Sequence, residues 1–432
     1  MTREAKQAHQ QQLLPKLLSH QVEALTKIAH HYNSGGFGFL LADAPRVGKT
    51  HVALAFAMEV GKPFTVVCPS TIKNQWESYA NEFNLNLQVT SYEFFREHYK
   101  EFNYEFVIFD EAHKLKNHRT KIYKLVNALK HRFYLLLTGT PFQNEPIELV
   151  NLIKLIKGNY RIVNIAATWV EYPWGMQYVW VKSGLPLLKQ ELDKQAWYLR
   201  RELQDVAVFL PSITREILVP DDVSWDVILK KVDELIESER NEKNGYRIEL
   251  IKAGMFEDIG VLFNVLPLIR RILGEAKALY AAKYISELAL DTGEQMLVFT
   301  HHSDVRDIIA KELLKNKINF AIIEGSTSQI QRGKIIGAFK NGDIQILILS
   351  TRAAGEGVTL ASAERAIFVE LDYNPAVLWQ AENRIVLPNE NKNKIITYII
   401  APHPLEQQMV RLVNRKANAI KEIYAKDVTI IK

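Results

Sequence analysis

Cysteine is all but missing from the chain. Cys68 is the single one, which excludes intramolecular disulfides and fits a small apolar residue in a buried strand of an intracellular protein. Long apolar runs are missing too: none approaches the length of a membrane span, and the polar start, Met1 to Gln12, lacks the apolar core of a signal peptide. A soluble, intracellular protein is therefore expected. Strong charge bias is also absent. Lys and Arg number 54 against 49 Asp and Glu, and the net charge of +5 permits a polyanionic partner without specifying one. His301 and His302 stand side by side with no further ligand at a usable spacing, so zinc is set aside. The 432 residues are enough for two or three domains with sizeable cores.

What is present is organised around Leu40 to Thr50, where an apolar run stops at a turn and Gly48-Lys49-Thr50 opens a helix expected over His51 to Val60. Backbone N–H groups at such a helix start point at an anion. Lys49 can reach the β and γ phosphates of a nucleotide, and the Thr50 hydroxyl is placed to hold Mg²⁺. The strict phosphate-loop pattern asks for glycine where Asp43 stands, so the loop alone leaves an ordinary strand-turn-helix open. A second apolar run, Phe106 to Phe109, ends in Asp110-Glu111-Ala112-His113. Two adjacent carboxylates at a strand tip suit a Mg²⁺-nucleotide, Asp110 holding the metal and Glu111 orienting and deprotonating the attacking water. A third run, Phe133 to Leu137, leads into Thr138-Gly139-Thr140-Pro141 and Phe142-Gln143-Asn144.

The motifs GKT, DEAH and TGTP in that order resemble the superfamily 2 helicases, and within them the Swi/Snf-type DNA translocases. The resemblance implies roles for further residues. Gln21, within Leu18-Ser19-His20-Gln21, corresponds to a glutamine that reads the adenine edge; His113, Arg46 and Gly48 fall in the nucleotide-binding set. Pro69, Ser70 and Thr71, followed by Gln75-Trp76, and then Ser91 and Tyr92, occupy positions of nucleic-acid contact, whereas Trp76 itself reads as core. Lys114, Lys116, His118 and Arg119 form a basic run that reads most safely as a solvated loop.

From about Gly158 to about Pro267 strand-helix alternation fades and aromatic residues gather at Trp169, Tyr172, Trp174, Tyr178 and Trp180. A hairpin over Thr168 to Val181 is expected, turning at Pro173-Trp174-Gly175, with Met176, Tyr178 and Trp180 on one face. Trp174 at its tip is a candidate to stack on an unpaired base, against the simpler reading of the rings as the core of a small accessory domain. Leu199-Arg200-Arg201 resembles a family string leading toward the second domain, and Ser224 to Glu239 reads as an amphipathic helix. Further on, His301, Ser350, Thr351 and Arg352 fall in motifs that grip DNA, while Gly355 and Gly357 would approach phosphate. Gln380-Ala381-Glu382-Asn383-Arg384 resembles the motif whose arginine completes the ATP site. The family has a second arginine three residues on, where this chain has Leu387; Arg384 alone, a substitute cation such as Arg46, or slow hydrolysis would follow.

The expected fold is α/β, with two RecA-like parallel-sheet domains at 1–157 and 268–432 and a mostly helical accessory region at 158–267. The resemblance implies ATP and Mg²⁺ as cofactors and duplex or branched DNA as partner. The implied function is an ATP-dependent DNA translocase that remodels branched DNA by fork regression, branch migration or strand annealing. The aromatic patch, Gly184-Leu185 and the Arg-Arg string look most like the compact annealing-helicase subgroup. An RNA-dependent ATPase and a nucleotide-gated DNA clamp with little hydrolysis are the rival readings.

Overall fold

The structure, a computed structural model, describes residues 17–141, 145–172, 175–206, 212–241, 245–253, 264–350, 360–372, 375–387, 392–404 and 406–407. These fall into two compact units, the first within 1–208 and the second within 209–418.

The first unit is a parallel sheet of β1 (Gly38–Leu41), β2 (Phe64–Cys68), β3 (Leu87–Ser91), β4 (Phe106–Asp110) and β5 (Phe133–Leu137), joined at one edge by the two-residue β8 (Tyr198–Leu199). Their order across the sheet is β3-β2-β4-β5-β1-β8. β1, β2, β4 and β5 are buried along their whole length, as strands covered by helices on both faces must be. Alternate residues feed two cores. Phe39, Leu41, Leu135 and Leu137 pack with Leu54 and Phe56 of the helix Lys49–Val60, whereas Leu40, Phe109 and Leu136 pack with Leu149 and Leu152 of the helix Pro146–Leu155. In register, Leu41 and Asp110 both face Leu137 across the sheet, so the three sequence motifs leave neighbouring strands at one edge.

Between the two sheets in sequence lies the antiparallel hairpin expected from the alternation, β6 (Ala167–Tyr172) with β7 (Gly175–Trp180). Its face is graded. Tyr178 and Trp180 pack against the first core, whereas Trp169 is 60% and Met176 56% exposed. Trp174 and Pro173 lie outside the described residues.

The second unit is again parallel, with β9 (Ile213–Leu218), β10 (Met296–Thr300), β11 (Phe320–Ile323), β12 (Ile346–Ser350), β13 (Arg365–Phe368) and β14 (Lys394–Ile399) in the order β11-β12-β10-β13-β14-β9. The 27-residue helix Leu266–Thr292 lies along both of its cores. The expected α/β architecture with two parallel sheets is therefore observed.

The accessory region differs from expectation, because it does not form a body of its own. Leu185, Leu188, Leu192 and Trp197 share the first unit's core, and β8 extends its sheet. Val232 and Ile236 of the amphipathic helix Trp225–Ser238 share the second unit's core with Ile248 and Ile251, and β9 pairs along its whole length with β14. A two-residue strand and a half-exposed edge strand carry little periodic signal, and their parallel partners are distant in sequence.

β9 is fastened by charge. Arg215 donates from Nε and Nη2 to the two carboxylate oxygens of Glu382 (3.1 and 2.8 Å), which also accepts from the Tyr398 hydroxyl at 2.7 Å. Glu382 is 2% exposed, so an unpaired carboxylate there would be costly. Arg215→Ala is expected to destabilise the second unit by about 3 kcal/mol, measured by urea unfolding, with Glu382→Gln in the same background recovering part of the loss.

Candidate functional site in the first unit

The phosphate loop follows β1 directly. Gly48 caps the helix Lys49–Val60 in a left-handed conformation (φ 95°), and a Cβ there would stand 2.1 Å from Gln21 Nε2. Glycine is thus required twice, for conformation and for room. Gln21 is buried and bonded at both ends of its amide: the oxygen accepts from Leu18 N at 2.9 Å and the nitrogen donates to Val47 O at 3.2 Å. An adenine-reading role would require those bonds to be exchanged. Arg46 also adopts a left-handed conformation (φ 73°), which glycine would adopt without strain; burial lowers its pKa to about 10.

Asp43, the acid that breaks the strict pattern, is completely buried. Arg201 lies against it, donating from Nη2 to Oδ2 at 2.5 Å and from its backbone N–H to Oδ1 at 2.8 Å. The same guanidinium also bonds the His20 carbonyl. Next to it, Arg200 donates to Ala42 O at 2.6 Å and Gly139 O at 3.1 Å, tying the loop to the Thr138-Gly139-Thr140 turn. Both arginines stand just past β8, which pairs beside β1. The sequence string that resembled a connector is thus a brace for the phosphate loop. A buried acid in a loop needs a cation, but neither the burial of Asp43 nor its partner 158 positions away shows in the local sequence.

Lys49 donates from Nζ to the carbonyls of Asp43 and Ala44 (2.7 and 3.1 Å). Burial lowers its pKa, against the opposing pull of Glu111, Asp43 and Asp110. Thr50 follows in the first helical turn. At the tip of β4, Asp110 accepts from Trp76 Nε1 at 2.9 Å and from Glu111 N at 3.0 Å. Burial, and secondarily the neighbouring Glu111 charge, raises its pKa to about 6. Glu111 turns the chain in a left-handed conformation (φ 53°), a strained geometry of the kind found where a site fixes it. His113 Nδ1 lies 3.2 Å from Glu111 Oε2. Lys49, Thr50, Asp110, Glu111 and His113 thus gather at one edge of one sheet.

Around this centre, Trp76 is 1% exposed; it is core, as expected, but its indole N–H also sets the Asp110 carboxylate, a role that sequence reasoning missed. Tyr92 corrects an expectation. Its ring is buried and its hydroxyl donates to Asp110 O at 2.9 Å, which leaves the side chain no face for a nucleic acid. Ser91 caps the helix Tyr92–His98 by accepting from Phe94 N at 3.1 Å. Ser70 is exposed and Thr71 half-buried in a short 3-10 turn after β2, with Pro69 buried before them. Of the basic run, Lys116 pairs with Glu148 at 3.0 Å. Cys68 is buried within β2, and burial pushes its thiol well up, so it is packing rather than chemistry.

In the second unit, Glu370 organises the segment after β10. It accepts from the N–H groups of His301 and His302 (2.6 and 2.9 Å) and approaches His302 Nδ1 at 2.5 Å. Burial, helped by Arg270, lowers the His301 pKa to about 4. Ser350 ends β12 opposite Thr300 of β10. Arg384 is 7% exposed and Leu387 41%. Thr351, Arg352, Gly355 and Gly357 lie outside the described residues.

Two parallel α/β units, the first ending its strands in a glycine-lysine helix start and a carboxylate pair, define a phosphate-loop protein of the two-domain type. Residues 79–219 match the family described as SNF2-related domain, and residues 280–386 match the helicase conserved C-terminal domain. The chain belongs to the Swi/Snf-like branch of superfamily 2. It is 28% identical over 414 residues to the SWI/SNF-related matrix-associated actin-dependent regulator of chromatin subfamily A-like protein 1 of Xenopus laevis, covering 88% of this chain and 42% of that protein. The homologue in Caenorhabditis elegans is 26% identical, over 89% of this chain and 59% of its own length. The DNA annealing helicase and endonuclease ZRANB3 of Mus musculus is 26% identical, over 88% and 38%. The chain thus spans less than two thirds of each of these relatives. A solved SWI2/SNF2 ATPase core of Sulfolobus solfataricus in complex with dsDNA aligns with 96% of this chain at 22% identity and a TM-score of 0.40.

Two outcomes follow from the site. Arg201→Ala orphans Asp43 and is expected to cost the first unit about 3 kcal/mol or more, read from its unfolding midpoint, with Asp43→Gly restoring much of it. The Asp110 carboxyl, followed by carbon NMR, is expected to titrate near pH 6; Trp76→Phe moves that midpoint upward, because the indole bond favours the charged form.

Proposed function

We propose that the chain is the motor of an ATP- and Mg²⁺-dependent DNA translocase that acts on branched DNA. The observation that carries this reading is the meeting of Lys49 with the Asp110-Glu111 pair at one sheet edge, in a chain of the Swi/Snf-like branch. The donors suit a Mg²⁺-nucleotide. Among the described residues no cluster of three or more His, Cys, Asp or Glu could cage a metal, and Mg²⁺ usually keeps waters and phosphate oxygens beside one or two carboxylates. Thr50 and Asp110 would hold it, and when bound it supplies charge neutralisation at the transferred phosphoryl.

The chain's own residues divide the remaining work. Lys49 exchanges the carbonyls of Asp43 and Ala44 for phosphate oxygens. Glu111, beside His113, orients the attacking water and takes its proton. Arg384 is our candidate for the completing cation, which matters only as charge develops on the phosphoryl group. Ser70, Thr71, Ser91, His301 and Ser350 serve as contacts to DNA phosphates, which fix register without reading sequence. That ZRANB3 is named a DNA annealing helicase supports a branched substrate. The exposure of Leu387, where the family has an arginine, favours one rival, a DNA clamp that hydrolyses slowly.

ATP turnover measured with no nucleic acid, single-stranded DNA, duplex DNA, forked DNA and RNA in turn separates these readings. Stimulation by DNA, greatest with forks, is expected; stimulation by RNA alone, or by nothing, would overturn the proposal. Lys49→Ala is expected to lose ATP binding, and Glu111→Gln to keep binding while turnover falls by about 10² or more. Near-normal turnover in both variants would remove the site assignment.

A further inference from the structure

A surface remote from the phosphate loop combines partly exposed aromatic rings with lysines that form no ion pair among the described residues. Phe37 immediately precedes β1, whereas the phosphate loop follows it; at about 3.3 Å per residue the four-residue strand separates them by roughly 13 Å. Phe37 is 43% exposed, with the Lys157 ammonium 3.8 Å from its ring centroid. Tyr160 is 39% exposed, with the Lys154 ammonium 4.7 Å from its centroid. Neither lysine forms an ion pair among the described residues. Lys157 also adopts a left-handed conformation (φ 55°) just past a helix end, where glycine would be unstrained. Tyr160 opens a 3-10 segment that runs to Ile165 and then into the hairpin. There the Tyr178 hydroxyl bonds Asn164 Oδ1 at 2.5 Å, and the exposed Trp169 ring packs on Tyr178 at 5.1 Å between centroids.

We propose that this strip, from Phe37 and Lys157 through Lys154 and Tyr160 to Tyr178 and Trp169, binds single-stranded nucleic acid apart from the phosphate contacts assigned above. The strip rests on the branched-DNA reading only in that a fork offers such a strand. A duplex keeps its base faces stacked and gains nothing from an exposed indole, whereas an unpaired base stacks on it. Ring contact already restricts the two ammonium groups, so less side-chain freedom is lost when they meet phosphates. Their positive charge, paired with no carboxylate among the described residues, favours a polyanion.

The test is fluorescence anisotropy of labelled oligothymidylate, and of the matching duplex, on the full chain. Trp169→Ala is expected to weaken oligothymidylate binding about tenfold, with Trp169→Tyr largely restoring it. Lys154→Gln with Lys157→Gln is expected to reduce the slope of log affinity against log salt by about 1.4. Melting temperature and duplex-stimulated turnover should not change. Unaltered oligothymidylate binding in the folded variants, an equal loss for duplex, or competition by polyglutamate as effective as by unlabelled oligothymidylate would each overturn the strip. A parent that binds oligothymidylate here yet shows no DNA-stimulated turnover would instead defeat only the proposed function.

Discussion

The contact on which the first unit depends is the buried pair of Asp43 and Arg201. An ion pair taken out of water gains little net stability by itself, since desolvation opposes the attraction, but removing either partner strands a charge where water cannot reach it. The pair therefore specifies geometry. It fixes the start of the phosphate loop, it draws the segment after β8 against β1, and through the His20 carbonyl it reaches the helix that carries Gln21. Gln21 then holds the far side of the loop through Val47. Arg200 extends the same brace to Gly139, whose own neighbour is the ring of Pro45.

Much of this was legible from one-dimensional pattern. Continuous apolar runs ending in glycine-lysine, in paired acids and in a threonine turn gave β1, β4 and β5 and their common edge, because buried parallel strands cannot be polar. The hairpin followed from period-two alternation and the turn string Pro173-Trp174-Gly175. Less legible were contacts between residues far apart in the chain. Asp43 read as a defect because its partner stands 158 positions away, and Tyr92 read as a DNA contact because nothing local reveals that its hydroxyl lies under Asp110. The division of the accessory span between two units was hidden for the same reason: β8 and β9 are defined by their pairing and hardly by their own sequence.

The second unit repeats the logic with other residues. Glu370 gathers two backbone N–H groups and an imidazole, and its close neighbour across the helix Leu266–Thr292 is Gly274, where a Cβ would come within 2.8 Å of the carboxylate. Glu382 binds β9, through Arg215, to the helix Pro375–Glu382 and to Tyr398 of β14. In each unit, buried carboxylates just past a strand or at a helix end act as the anchors to which sequence-distant segments are tied.

The placement of β8 has a mechanical corollary. The chain leaves the first unit past Tyr198 and Leu199, held by Arg200 and Arg201 and, beyond them, by Val206 packed on Ala44 and Val47. These contacts fall on Ala42, Asp43, Ala44, Val47 and Gly139, the residues that shape the loop after β1. The outgoing chain and the loop after β1 are thus held by one set of contacts, so that neither can be loosened without the other.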